Sequence, residues 1–351
     1  MGIRTILVCE AQVPLVRGGA EILVRELVDQ LRRRGYAAEL VSVPFKWYPK
    51  DEILAHAAAW RLLDLSESNG TPIDLVIATK FPTYCVRHPR KTVWLMHQYR
   101  AAYELIGTPF SDFAHHEHDV ALRRQIVDLD TAMLGECCGL FAIARNTARR
   151  LEKYNGLRAQ ALYHPPRLAE RLVAGPYGDY ILSVGRLETI KRVDLVLRTL
   201  ALLPPPLKVI VAGEGTQRAN LERLVEELGV RDRVTFLGAV DDETLIDLYR
   251  GALAVVFPPF DEDYGYVTLE AFLARKPVIT TTDAGGPLEF VEDGVNGWIC
   301  EPVPEALAAA VSRLADDRAK AASLGDAGHD LAARITWDGV VEALVGSASG
   351  S

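Results

Sequence analysis

Short, unbroken apolar runs that end in a turn and hand over to an amphipathic helix constrain this chain more than any other feature. Runs of four to eight apolar residues between turn signals are strands buried on both faces, which means parallel sheets covered by helices. The clearest case is Leu253–Phe257, a strand stopped by Pro258-Pro259 and followed by a short acidic loop, Asp261–Asp263. Gly265 then turns the chain into a helix predicted over Tyr266–Ala274. Lys276-Pro277 ends that helix before a second buried strand, Val278–Thr281. Such a unit places its loop at the carboxyl end of a strand, where open α/β sheets bind ligands. Two carboxylates bracket the turn: Glu262 in the loop and Glu270 about a turn and a half into the helix. The free N–H groups at the helix start, around Gly265, Tyr266 and Val267, suit a phosphate. Glu270, farther along, suits vicinal hydroxyls such as those of a ribose, which pair with carboxylates through charge-assisted hydrogen bonds.

The same grammar runs through the rest of the chain. Thr5–Cys9 reads as a strand, Glu10–Arg17 as a loop closing on Gly18-Gly19, and Ala20–Arg34 as a helix with Leu23, Val24, Leu27, Val28 and Leu31 on its apolar face. With the strand Ala38–Val43 this is a first βαβ unit, and two glycines at its turn let backbone approach a bound group closely. No G-x-G-x-x-G is present, so a dinucleotide fingerprint is not. A helix over Asp51–Ser66 and strands at Asp74–Ala78 and Thr92–Met96 follow. The last of these ends at His97, where a histidine could hydrogen-bond a ligand hydroxyl or simply cap the strand.

Ala101–Asp119 reads as irregular. It carries His115, His116 and His118, whose spacing matches no common zinc pattern. Beyond the predicted helix Val120–Glu136 and strand Gly139–Ala144, the helix Asn146–Asn155 and its lead-in align Arg145, Arg149, Arg150 and Lys153 as a basic face. That face is either solvated or rests on an anionic membrane. The proline- and glycine-rich stretch from Tyr163 to Gly178 holds the domain boundary, placed at 170, and a second series of strands and helices starts at Tyr180. It opens with Gly185-Arg186-Leu187-Glu188-Thr189-Ile190-Lys191, whose two cations flank a strand-to-helix turn and could converge on a diphosphate.

With 351 residues, 49% hydrophobic and 25% charged, the chain has room for two domains of an ordinary soluble protein. No apolar run approaches a membrane span, and the N-terminus lacks a signal-peptide layout. Five scattered cysteines without C-x-x-C fit reduced thiols in the cytoplasm. The net charge of −8 argues against a nucleic-acid partner. Residues 1–170 hold 22 Lys/Arg against 19 Asp/Glu, and the remainder 17 against 28, so an anionic acceptor or a membrane surface would meet the first half.

Glu262-x7-Glu270 in the frame Y-G-Y-V-T-L-E-A-F-L-A-R-K-P-V-I-T, with Gly285-Gly286 and Glu289 beyond it, resembles the E-x7-E motif of the retaining glycosyltransferases of family 4. G-G-A-E at Gly18–Glu21 is similar to that family's first loop, and G-R-L-E-T-I-K to its G-R-L-x-x-x-K signature. Asp263 departs from the pattern, standing where the family usually has glycine. The resemblance implies a GT-B fold: two Rossmann-like domains facing across a cleft, 1–170 on the acceptor side and 171–334 holding the nucleotide. A final helix in 335–351 would cross back to the first domain.

It also implies a retaining transfer from a nucleotide-diphosphate sugar, a UDP- or GDP-sugar, to a hydroxyl acceptor that is lipid-linked or anionic. Glu270 would hold the ribose hydroxyls, Arg186 and Lys191 the diphosphate, and Glu262 and His97 the donor sugar. Gly18-Gly19 would close on the phosphate. No cofactor beyond the donor and no metal is expected, although Asp261-Glu262-Asp263 spells the D-x-D string that binds metal in the other common glycosyltransferase fold. A cytoplasmic protein, peripheral at the inner membrane face, fits this picture. A silent nucleotide-sugar binder, or a phosphorylase or epimerase of the same fold, are the alternatives, since fold alone does not fix chemistry.

Overall fold

The computed structural model describes residues 2–15 and 18–348; Val16 and Arg17, in the loop before the paired glycines, and the last three residues of the tail lie outside the described residues. The chain divides into two compact units, Met1–His164 with Thr336–Ser351, and Pro165–Ile335.

The first unit runs β1 (Thr5–Gln12), α1 (Gly19–Arg33), β2 (Ala37–Pro44), α2 (Glu52–Leu62), β3 (Glu67–Ser68), β4 (Thr71–Pro72), β5 (Leu75–Ala78), β6 (Lys91–Leu95), α3 (Glu117–Gly135), β7 (Gly139–Ala142), α4 (Arg145–Asn155) and β8 (Gln160–Ala161). Six of the strands form one parallel sheet in the order β2-β1-β5-β6-β7-β8. The apolar face expected for α1 is buried at all five positions. The predicted helix 51–66 stops at Leu62. Leu63 turns extended, Asp64 accepts hydrogen bonds from the Ser66 N–H (3.0 Å) and hydroxyl (2.7 Å), and β3 and β4 then form a hairpin. Its turn is Asn69-Gly70, both at positive φ, the conformation that Asn-Gly hairpins favour. Local turn chemistry overrides the helical pattern there.

The second unit runs β9 (Tyr180–Val184), α5 (Val193–Ala201), β10 (Lys208–Ala212), α6 (Arg218–Glu227), β11 (Val234–Gly238), α7 (Asp242–Gly251), β12 (Ala254–Val256), α8 (Tyr266–Leu273), β13 (Val278–Thr281), β14 (Gly297–Cys300), α9 (Pro304–Asp316) and α10 (Arg318–Ala332). Its parallel sheet has the order β11-β10-β9-β12-β13-β14. Both sheets are therefore doubly wound: the order reverses between β1 and β5 in the first and between β9 and β12 in the second. The carboxyl ends of those strand pairs are the topological switch points.

The boundary falls at 164/165, not at 170. Arg167 and Arg171 donate to Asp242 at the start of α7, at 2.6 and 3.2 Å, so residues 165–171 are fastened to the second unit. His164 is buried in the first unit, between Trp94 (ring centroids 5.0 Å) and Trp337 (5.7 Å). Trp337 opens the last helix, α11 (Trp337–Gly346), which returns to the first unit; the Ser347 and Thr92 hydroxyls hydrogen-bond at 2.9 Å. No described helix is long and apolar enough to cross a membrane.

Candidate active site

The second unit's switch point collects most of the residues singled out in the sequence. From β9 the chain passes through Gly185 and Arg186 to a single 3₁₀ turn, Thr189–Lys191. From β12 it passes through Pro258-Pro259 into the acidic loop. The two segments join through the Phe260 N–H, which donates to the Ile190 carbonyl at 2.8 Å. The acidic loop also pairs with the loop after β13: Asp261 and Glu262 N–H donate to the Asp283 and Ala284 carbonyls, and Gly286 N–H to the Glu262 carbonyl, all at 2.7–2.8 Å. Gly285 has a φ of +75°, and a Cβ there would lie 2.6 Å from the Glu262 carbonyl oxygen, so only glycine allows this contact.

Lys191 Nζ donates to Glu262 Oε2. The cation assigned to the diphosphate and the carboxylate assigned to the sugar thus sit on each other, their side chains keeping 15% and 20% of their surface. Arg186 is different. It is exposed, and its side chain has no partner among the described residues. The two cations are on one strand-to-turn segment, Lys191 paired with Glu262 and Arg186 exposed.

Gly265 begins α8 at φ +86°, with a Cβ position only 2.9 Å from Pro287 Cγ. Tyr266 is half-buried and Val267 buried in the first turn. Glu270, in the next turn, accepts a hydrogen bond from the Tyr249 hydroxyl at 2.7 Å. Burial pushes its carboxyl above the usual carboxylate range, against the opposing pull of the Tyr249 hydroxyl and of the Arg167 charge. The same contact and burial raise the Tyr249 hydroxyl.

In the first unit, Gly18 is the extended residue that starts α1, and Gly19 is its first helical residue. Gly18 N–H donates to Glu21 Oε2 at 2.9 Å, and Lys80, just past β5, donates to Glu21 Oε1 at 2.7 Å. Burial alone would raise the Glu21 carboxyl, but the Lys80 charge and these hydrogen bonds outweigh it and hold it below the usual range. His97 is half-buried after β6. Its Nδ1 lies 2.7 Å from the Gln98 carbonyl, a contact that requires Nδ1 to carry the proton.

One further expectation changes. Arg150 is not on the basic face of α4: it is buried, 3.4 Å from Glu104, because position 150 falls on the core side of the helix. Arg145, Arg149 and Lys153, four residues apart, keep the exposed stripe. The three histidines of 115–118 form no common site. His118 Nε2 meets Asp51 at 3.1 Å, His116 precedes α3, and no group of three His, Cys, Asp or Glu among the described residues could hold a metal ion.

Sequence reasoning missed Arg192, Lys80 and Glu10. Arg192 makes five hydrogen bonds at the switch point; its place directly after Lys191 was the only signal. Glu10, inside β1, is 1% exposed; Ser42 donates to its Oε2 at 2.8 Å, and Oε1 has no partner among the described residues. A charged residue inside an otherwise apolar strand run was the available cue.

Residues 170–330 match the family model described as glycosyl transferases group 1. This segment is similar to the group 1 glycosyltransferases. An uncharacterized glycosyltransferase of Methanocaldococcus jannaschii is 31% identical over 231 residues, 63% of this chain and 58% of that protein. The D-inositol 3-phosphate glycosyltransferase of Mycolicibacterium smegmatis is 36% identical over 191 residues, 52% of this chain and 43% of that protein. The matches thus span about half the length of these curated relatives. Among solved structures, Anabaena HepE in complex with UDP and glucose superposes with a TM-score of 0.72 at 18% identity, covering 99% of this chain and 100% of that one. The matched segment contains the whole candidate site of the second unit, and the fold is GT-B, with two Rossmann-like halves.

Proposed function

We propose that the protein transfers a sugar from a nucleotide-diphosphate sugar to a hydroxyl acceptor, with retention at the anomeric carbon and without a metal ion. The observation that carries this reading is the composition of the second switch point. A solvent-facing Arg186, a Lys191–Glu262 pair and a half-buried Glu270 lie along one strand end and one helix start. Each group has a task that its surroundings suit. Arg186 has no partner among the described residues to give up and can take a phosphate oxygen. Lys191 can exchange Glu262 for the diphosphate, which frees the Glu262 carboxylate for donor-sugar hydroxyls. Gly265, Tyr266 and Val267 present N–H groups to the same phosphates. Glu270, held by Tyr249, accepts the ribose hydroxyls.

As the glycosidic bond breaks, negative charge grows on the leaving diphosphate, where Arg186 and Lys191 supply fixed positive charge. The leaving phosphate then accepts the proton of the incoming hydroxyl on the same face, which retains configuration. Gly18-Gly19 and His97 carry the phosphate and sugar roles that the family resemblance implies. The UDP and glucose held by HepE support a UDP-sugar as the first donor to try. The exposed stripe of Arg145, Arg149 and Lys153 supports an anionic or lipid-linked acceptor, handled by a cytoplasmic enzyme that touches the inner membrane face. Product NMR after turnover in EDTA tests the reading. Retained anomeric configuration with undiminished rate is expected. An inverted product, or activity that returns only with Mg²⁺ or Mn²⁺, would overturn it and turn attention to Asp261 and Asp263 as metal ligands.

A further inference from the structure

Arg192 stands in the left-handed region, φ +50° and ψ +44°, a conformation that glycine adopts freely and that costs other residues roughly 1–2 kcal/mol. Its guanidinium offsets that cost with an unusual set of bonds. Nε donates to the Pro258 carbonyl at 2.7 Å and Nη2 to the Pro259 carbonyl at 2.8 Å, the two residues that end β12 and lead into the acidic loop. Nη1 and Nη2 grip the two Asp283 oxygens at 2.9 and 2.6 Å, and Nη2 also reaches the Thr281 hydroxyl at 2.8 Å. One planar fork therefore ties the segment after β9 to the loops after β12 and after β13. Burial would raise the Asp283 carboxyl, but the Arg192 bonds and charge prevail and lower it.

The loop so tied carries a strained residue of its own: Asp261 is a non-glycine at φ +44°. Such a conformation persists only where the surroundings over-determine it. Arg192 contacts none of the groups assigned to the donor. It fixes the backbone on which Glu262 is mounted.

We infer that Arg192 is a positioning residue that, through Pro258, Pro259 and Asp283, holds the Glu262 loop in the geometry that reads the donor sugar. The inference rests on the proposed reading for its sugar, and on the hydrogen bonds alone for its clamp. Sugar discrimination depends on a carboxylate held to a fraction of an ångström, so loosening the loop erodes the sugar's share of binding and the rate, and leaves the nucleotide's share intact.

Arg192→Gly is the most informative variant, because glycine suits the left-handed backbone and the fold should survive. Hydrogen exchange on the ligand-free protein tests the clamp: amides of Asp261, Glu262 and Gly286 should exchange at least about tenfold faster, with the rest of the second unit unchanged. Calorimetry with UDP and UDP-glucose, and with GDP and GDP-mannose, tests the positioning. Affinity for the free diphosphate should change less than about twofold, while the extra affinity conferred by the sugar falls about five- to tenfold. The kcat should fall about 10- to 100-fold with little change in acceptor KM, the scale of losing charged hydrogen bonds. Arg192→Lys, which keeps the charge but not the fork, should restore the function only in part. Unchanged exchange at those three amides would overturn the clamp whatever the ligand. Faster exchange with an unaltered sugar increment would overturn the positioning role. If the parent chain bound neither nucleotide sugar, the proposed function would fail and the sugar-reading role with it, while the exchange data would still decide the clamp.

Discussion

At the first sheet's switch point, between β1 and β5, Lys80 and Glu21 meet with only 9% and 10% of their side-chain surface exposed, and Glu21 also holds the Gly18 N–H. At the second, between β9 and β12, the corresponding pair is Lys191 and Glu262, more exposed, with Arg186 exposed on the same segment as Lys191. Both sheets have the same doubly wound order and both bring a lysine and a glutamate to the reversal. The first pair is committed to architecture, since it pins a glycine turn to the start of α1. On the proposed reading the second exchanges its partner for the donor. Identical topology would then leave the choice between scaffold and ligand site to burial.

The same substitution at the two lysines should therefore give opposite readouts. Lys80→Ala leaves Glu21 buried beside no cation, which typically costs about 3–5 kcal/mol of stability, measurable by urea unfolding. Lys191→Ala should cost less than about 1 kcal/mol of stability, because its pair is partly solvated. Its kcat should instead fall about 10²–10³-fold, with free nucleoside diphosphate binding much less affected. Equal stability losses at the two positions would erase the distinction.

A second buried carboxylate sharpens the contrast from the first unit's side. Asp130 on α3 is fully buried and accepts the Tyr103 hydroxyl at 2.6 Å, with Oδ1 unpartnered among the described residues. Burial pushes it up to about 7, the Tyr103 hydroxyl opposing. The folded state thus holds a proton that the unfolded chain, with an ordinary aspartate, releases. The associated stability is complete below about pH 4 and is lost as pH rises through about 7. Asp130→Asn keeps an acceptor for Tyr103 and cannot ionise, so its stability advantage over the parent should grow by on the order of 2–4 kcal/mol between pH 4 and pH 8. A flat difference across that range would show that Asp130 ionises freely.

Much of this was legible in the sequence. The buried run at Val278–Thr281 appears as a strand with the predicted bounds, and the second series opens with a strand at Tyr180 as read, because a strand covered on both faces leaves a plain apolar run. The short edge strands β8 and β14 escaped, since two to four half-buried residues carry no such signal. The E-x7-E frame placed Glu262 on a loop and Glu270 on a helix, as found. What the sequence did not carry is pairing over long separations. Lys80 with Glu21 spans 59 positions and Arg192 with Asp283 spans 91, and neither partner's local pattern marks the other. Arg150 shows the converse, a basic residue in a basic helix that the core side of α4 draws inward to Glu104.

The central claim is that the second switch point holds the nucleotide, with Glu270 anchoring it. Titration calorimetry of UDP-, GDP-, ADP- and dTDP-sugars in EDTA, on the parent and on Glu270→Ala, tests it most directly. The account predicts that at least one donor binds the parent without metal and that Glu270→Ala weakens it by about 1.5–3 kcal/mol, the scale of charged hydrogen bonds to the ribose. Binding of equal strength by the Glu270→Ala protein, or binding by neither protein, would contradict it.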